Sequence, residues 1–321
     1  WSSDVCSSDL LMQFIRVWTP KLDPKCQFEI AWSPRHLIEN LQPEIENYEE
    51  RISVVASECV RILLENYKLA PKWINATIQA INDAVVSGDH YGIGFKVASA
   101  LMGAPGGITP IVRQIATYRP TDVSARKFAI TASRFISMLI GNLMSSAGAR
   151  DIMAMDQELM TLLSDIVSGK IGSEYNMRNH CFCAICYAVV NESDEPSDKF
   201  VEMALRCNVA SSIVIYVNGM SSLSNSAIDI GKTAMLIMMR TDGDGMAEQI
   251  APLDIDKFGS VLFSAVNVDG VDEFLSFMTS HDQEVIADAV EIPAAGNPFA
   301  SVVAPPFGAH VIPPFNPSNP F

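Results

Sequence analysis

The sequence predicts an all-α chain, a solenoid of stacked helices ending in a disordered C-terminal tail. Three observations carry that expectation. Apolar residues recur at spacings of three and four along most of the chain, as they do on one face of a helix. Small alanines set among bulky apolar residues recur at Ala98, Ala132, Ala184, Ala234 and Ala289, in steps of 34, 52, 50 and 55 residues. Beyond Glu291 the composition changes abruptly, and residues 292–321 hold eight prolines and no Asp, Glu, Lys or Arg.

The 321 residues are 49% apolar and 18% charged, enough to bury a sizeable core as one long array or two domains. A formal net charge of −15 sets the average field against nucleic acid, so protein partners are expected, and a basic peptide suits that field. Seven cysteines are an odd number with no secreted-type framework. Cys26, Cys59, Cys181, Cys183, Cys186 and Cys207 mostly sit inside apolar periodic runs, which reads as reduced core thiols in a reducing, cytoplasmic compartment. Apolar runs such as residues 135–140 and 234–239 fall far short of the ~18 residues a span needs, so no transmembrane segment is expected.

Residues 1–10, WSSDVCSSDL, read as a translated adapter tag and not as a folded element, which removes Cys6 from the argument. Residues 11–87 are expected to form an N-terminal helical region or cap. Pro20 and Pro24 mark turns, and Ser33-Pro34 supplies a capping residue with proline at the first helical position. Pro43 opens a long helix to about Tyr67. Its stripe of Ile45, Tyr48, Ile52, Val55, Cys59 and Ile62 turns inward, and Glu44, Glu46, Glu49, Glu50 and Arg51 face water. Pro71 begins the next helix, with Trp73, Ile74, Ile78, Ile81 and Val85 as its apolar positions, and Ser87-Gly88-Asp89 ends it.

Residues 88–291 form the expected repeat array. The runs 128–143, 177–190 and 228–239 carry the recurring alanines, whose small side chains let helices approach closely. Each helix pair then buries its stripe only against its neighbours. An irregular all-α bundle without a true repeat is the alternative architecture.

Within this region residues 106–115 read Gly-Gly-Ile-Thr-Pro-Ile-Val-Arg-Gln-Ile. The glycine pair breaks the preceding helix, and Ile108, Ile111, Val112 and Ile115 open a new apolar face. This stretch resembles the first helix of an armadillo repeat, with weaker echoes at 207–217 and 268–278. The alanine steps lie around the periods of about 40–47 residues of armadillo and HEAT units, with loop insertions in the longer ones. The resemblance implies a right-handed α-solenoid whose concave groove takes a peptide or protein. Nuclear import receptors of that family line the groove with Trp-x-x-x-Asn pairs. The nearest match here is Tyr187-Ala-Val-Val-Asn191, so Tyr187 and Asn191 are candidate groove residues. One imperfect pair is not an array, and the import function is not implied.

The tail carries two copies of one tripeptide, Asn297-Pro298-Phe299 and Asn319-Pro320-Phe321. Asparagine starts a turn, proline fixes the next φ and phenylalanine is presented at the tip. Both copies resemble the NPF ligand of EH domains, modules of endocytic and membrane-trafficking proteins. About 0.1 copy would arise by shuffling this composition. Two copies on one flexible segment also allow avidity.

Other constellations carry less. His180-Cys181-Phe182-Cys183-Ala184-Ile185-Cys186 has zinc-type ligands, yet on a helix the three thiols point about 0°, 200° and 140° around the axis. Thr241–Gly245 opens like a calcium loop, but Met246 and Leu253 stand where ligands are required. Gly88, Gly92 and Gly94 make no phosphate-binding pattern. His36, His90, His281 and His310 stand apart from any nucleophile signature. Arg113, Arg119, Arg126, Lys127 and Arg134 cluster near one repeat junction and read as solvated helix ends. No catalytic, cofactor or metal residue is expected. The functional expectation is a non-catalytic adaptor, with a viral or other assembly protein using its tail as an inter-subunit arm as the alternative.

Overall fold

The computed structural model describes residues 48–67, 71–87, 92–190, 198–220 and 223–253. All of them lie in Trp1–Asp282, the first of the two units into which the chain divides. The described residues form twelve α-helices and no strand. These are α1 (Tyr48–Asn66), α2 (Pro71–Ser87), α3 (Ile93–Gly103), α4 (Thr109–Thr117), α5 (Val123–Ser145) and α6 (Ala147–Met153). They continue with α7 (Gln157–Val167), α8 (Tyr175–Val189), α9 (Asp198–Arg206), α10 (Val209–Gly219), α11 (Asn225–Thr241) and α12 (Gly243–Ile250).

The predicted stripes become the core. On α1 the residues Ile52, Val55, Cys59 and Ile62 are buried, and on α2 so are Ile74, Ile78, Ile81 and Val85. Proline opens α2 as expected, where its missing N–H costs nothing. Gly106 and Gly107 both take positive φ, 78° and 58°, and turn the chain into α4. There Ile108, Ile111, Val112 and Ile115 are all buried. Side chains close the helix starts that follow. Asp122 accepts the Ala125 N–H at 2.7 Å and Asp156 accepts the Leu159 N–H at 2.8 Å. Ser224 and Asp242 do the same for α11 and α12.

From α3 onward the helices come in threes, two short and one longer: α3-α4-α5, α6-α7-α8 and α9-α10-α11. The long members make a row in which α2 packs on α5, α5 on α8 and α8 on α11. A second row runs α4 on α7 and α7 on α10, and each of its helices also packs on the long helix that follows it. The short helices α6, α9 and α12 each return to the long helix before them. Between α9 and α10 the axis bends by 64°, with Asn208 at φ 59° making the corner. Three of the recurring alanines, Ala132, Ala184 and Ala234, are buried in α5, α8 and α11. Ala98 is buried too, but on α3, a short helix outside that row, so the 34-residue step joins unlike elements. Ala289 and the echo at 268–278 lie outside the described residues.

Polar links tie the long row together. The Asn75 amide donates to the Phe128 carbonyl at 3.1 Å, and the Asn142 amide donates to Asn82 Oδ1 at 2.7 Å. Arg150, buried on α6, donates to the Val190 carbonyl at 3.0 Å and lies over the Phe200 ring. Nine methionines are buried along the described core. Among the described residues α5 has the length and apolar character of a membrane span, and α9 with α10 would pass only as one bent pair. Half of that α5 window is buried by its neighbours.

The tightest junction is at Phe182. Its ring stacks on Tyr216 of α10, centroids 4.6 Å apart, and both side chains are fully buried. A Cβ placed on Gly231 of α11 would come within 2.9 Å of Phe182 Cζ. The ring has nowhere to go. Gly231→Ala is therefore expected to cost about 1–3 kcal/mol in urea unfolding, as overpacking does. Gly219→Ala, with nothing within 4 Å, should stay within about 0.5 kcal/mol of the parent.

Candidate functional site

Packing on both sides and from behind leaves α5, α8 and α11 one open stripe each, whereas the described side chains of α2 are nearly all buried. On α5 it comprises Lys127, Thr131, Arg134 and Met138, spaced four, three and four, and on α8 it comprises Asn176, His180, Cys183 and Tyr187. On α11 it includes Asp229, Thr233, Ile237 and Arg240. Lys127, Arg134 and Asn176 are exposed, whereas His180, Cys183 and Tyr187 are half-buried. The structure thus places Tyr187 on the open side of α8, within two turns of His180. Asn191 lies outside the described residues, as do Asn297, Pro298, Phe299, Asn319, Pro320 and Phe321.

The electrostatics of this face follow from its half-burial. Desolvation lowers the pKa of His180, and the neighbouring charge of Arg134 lowers it further. Desolvation raises the Tyr187 phenol, with Cys183 and Cys186 adding to the shift. The Cys183 thiol is pushed up to about 11 by burial, partly offset by a backbone hydrogen bond. Cys181 and Cys186, fully buried on the inward side, are pushed higher still. Among the described residues no three His, Cys, Asp or Glu side chains converge as a metal set would. Asp242 of the calcium-like stretch serves as the α12 cap.

The cluster of cations divides in two. Arg113 faces Glu158 at 3.6 Å across α4 and α7, and Arg119 donates to the backbone carbonyls of Tyr118 and Gly172. Arg126, Lys127 and Arg134 have no carboxylate partner among the described residues. Arg126 and Arg119 also flank a hollow of about 140 Å³ with Glu174 on its rim. The sequence reading missed that Lys127 and Arg134 share the open stripe with Tyr187's helix. The signal was present in the sequence, since neither α5 nor α8 contains an Asp or Glu.

Comparison with protein-family models, curated proteins and solved structures finds no match for this chain.

Two measurements check this face. Because the folded state holds His180 below its ordinary value, the unfolded chain binds the proton more readily. Stability is then complete above about pH 6.5 and declines as pH falls through that value. His180→Gln should flatten the difference between urea midpoints at pH 7.5 and 5.5. In a Cys6→Ser/Cys26→Ser variant, native-state reaction with a disulfide reagent at pH 7.5 should begin at Cys183. It should run on the order of 10²-fold slower than a free thiol.

Proposed function

We propose that this protein is a non-catalytic scaffold, an armadillo/HEAT-type right-handed solenoid whose open long-helix face binds a peptide or protein segment. The observation that carries the reading is the single row of α2, α5, α8 and α11, backed by α4, α7 and α10. Three members of that row, α5, α8 and α11, each give one stripe to an extended surface, with each unit resting on its neighbours. Half-buried Tyr187 suits the role of an anchor, offering apolar area with a polar tip at low entropic cost. The five described cysteines are free, four of them buried, which suits a reducing, cytoplasmic setting.

The two tail motifs give the scaffold its second contact, with EH-domain proteins of membrane trafficking. The pair Asn297-Pro298-Phe299 and Asn319-Pro320-Phe321 supports this part, since Asn-Pro favours a turn and a turn-prone ligand loses less entropy when bound. Titrating the full chain into an EH domain by calorimetry tests it. Binding should weaken about tenfold, ~1.4 kcal/mol, for Phe299→Ala or Phe321→Ala. Equal heats from parent and double variant would remove the trafficking role and leave the helical face untouched.

A further inference from the structure

We infer that the segment received by the α5–α8 part of the open face is acidic. This rests on the scaffold reading above and names the chemistry of its partner there. The chain as a whole carries 37 Asp and Glu against 22 Lys and Arg. An even spread of 37 acids over 321 residues would put about four in the 38 residues of α5 and α8, and these helices contain none. They contain instead Arg126, Lys127, Arg134 and Arg178, with His180 between the rows.

The cations are not equivalent. Arg178 is engaged inward, donating to the Val167 carbonyl at 2.8 Å and lying 5.5 Å over the Tyr216 ring. Arg126, Lys127 and Arg134 are exposed and reach no carboxylate among the described residues. Lys127 and Arg134 stand two turns apart on one stripe, about 10 Å along the helix. Arg134 acts electrostatically on His180 across the α5–α8 groove. The carboxylates nearest in the fold are otherwise committed or peripheral. Asp122 caps α5, and Glu174 stands at the start of α8 on the rim of the hollow beside Arg126. Asp229 lies one helix further on, exposed on α11.

A positive strip with the Thr131 hydroxyl set between its two cations fits a peptide of alternating carboxylates and apolar side chains. Carboxylates of such a peptide share one face of an extended strand at ~6.6 Å intervals, within reach of two long, flexible cations whose backbones stand about 10 Å apart. The chain's net charge of −15 disfavours such a peptide on average, so a local cationic strip also favours this site over the rest of the surface.

The test uses the full chain as bait for a displayed random dodecapeptide library, followed by fluorescence polarisation of the enriched peptides. Enrichment in Asp and Glu is expected. A Lys127→Glu/Arg134→Glu variant, checked for an unchanged urea midpoint, should bind those peptides at least tenfold more weakly. Raising salt from 0.1 to 0.4 M should weaken parental binding as well. Enrichment of neutral or basic peptides whose binding needs Tyr187 but ignores the charge reversal would overturn the acidic partner and leave the scaffold standing. Absence of any enriched pool would remove both. A third result, binding of single-stranded dT20 lost on charge reversal while acidic peptides fail, would assign the strip to nucleic acid and overturn the inference.

Discussion

Phe182 can be fully buried beneath α11 only because residue 231 has no side chain. That one close approach joins both rows of the structure. The ring stacks on Tyr216, whose hydroxyl donates to Asn179 at 3.0 Å, so α8, α10 and α11 are fixed against one another at a single point. Orientation follows from it. With Phe182 turned inward, helical geometry sends residues 180, 183 and 187 to the opposite side of α8. The open face is therefore a by-product of the anchor and is as well defined as the anchor itself.

The placement of acids obeys a second constraint. Asp122, Asp156 and Asp242 stand at helix starts, where each accepts a backbone N–H and meets the positive end of the helix dipole. Glu58 and Glu65 pair with Arg61 on the exposed side of α1. Helices α5 and α8 in the middle of the long row contain no carboxylate, so their own charges are opposite in sign to the net charge of the whole chain. Net charge is a sum over the molecule, and a ligand at contact range meets only what lies within a screening length.

Much of the helical framework was legible in the sequence, since a period of 3.6 is written directly in Ile52, Val55, Cys59 and Ile62 or in Ile108, Ile111 and Ile115. Three alanines marked the long row correctly. Ala98 misled because burial of a small residue is not particular to one kind of helix. The grouping in threes escaped notice, as a seven-residue helix such as α6 holds barely two turns and shows no period of its own. Asn208 hid the bend before α10, because only its left-handed backbone, and not its residue type, distinguishes it from any other asparagine. Of the candidate site, the spacing to Asn191 singles out Tyr187, which lies half-buried on α8, and Asn191 lies outside the described residues. The cationic stripe was legible only as the lack of Asp and Glu in α5 and α8, because Lys127 and Arg134 read as ordinary helix-end charges until α8 is seen beside them.

The methionines of the core bear on how such an irregular stack closes at all. Unbranched thioether side chains adapt to gaps that Leu or Ile would leave strained, so units of unequal length can share continuous interfaces. Met144, Met160, Met177, Met235 and Met238 are all sealed from water, and that seal has a chemical side. Oxidation to the sulfoxide would put a polar, chiral group into an apolar seam, so the same plasticity that accommodates uneven units leaves this interior dependent on staying shut to oxidants.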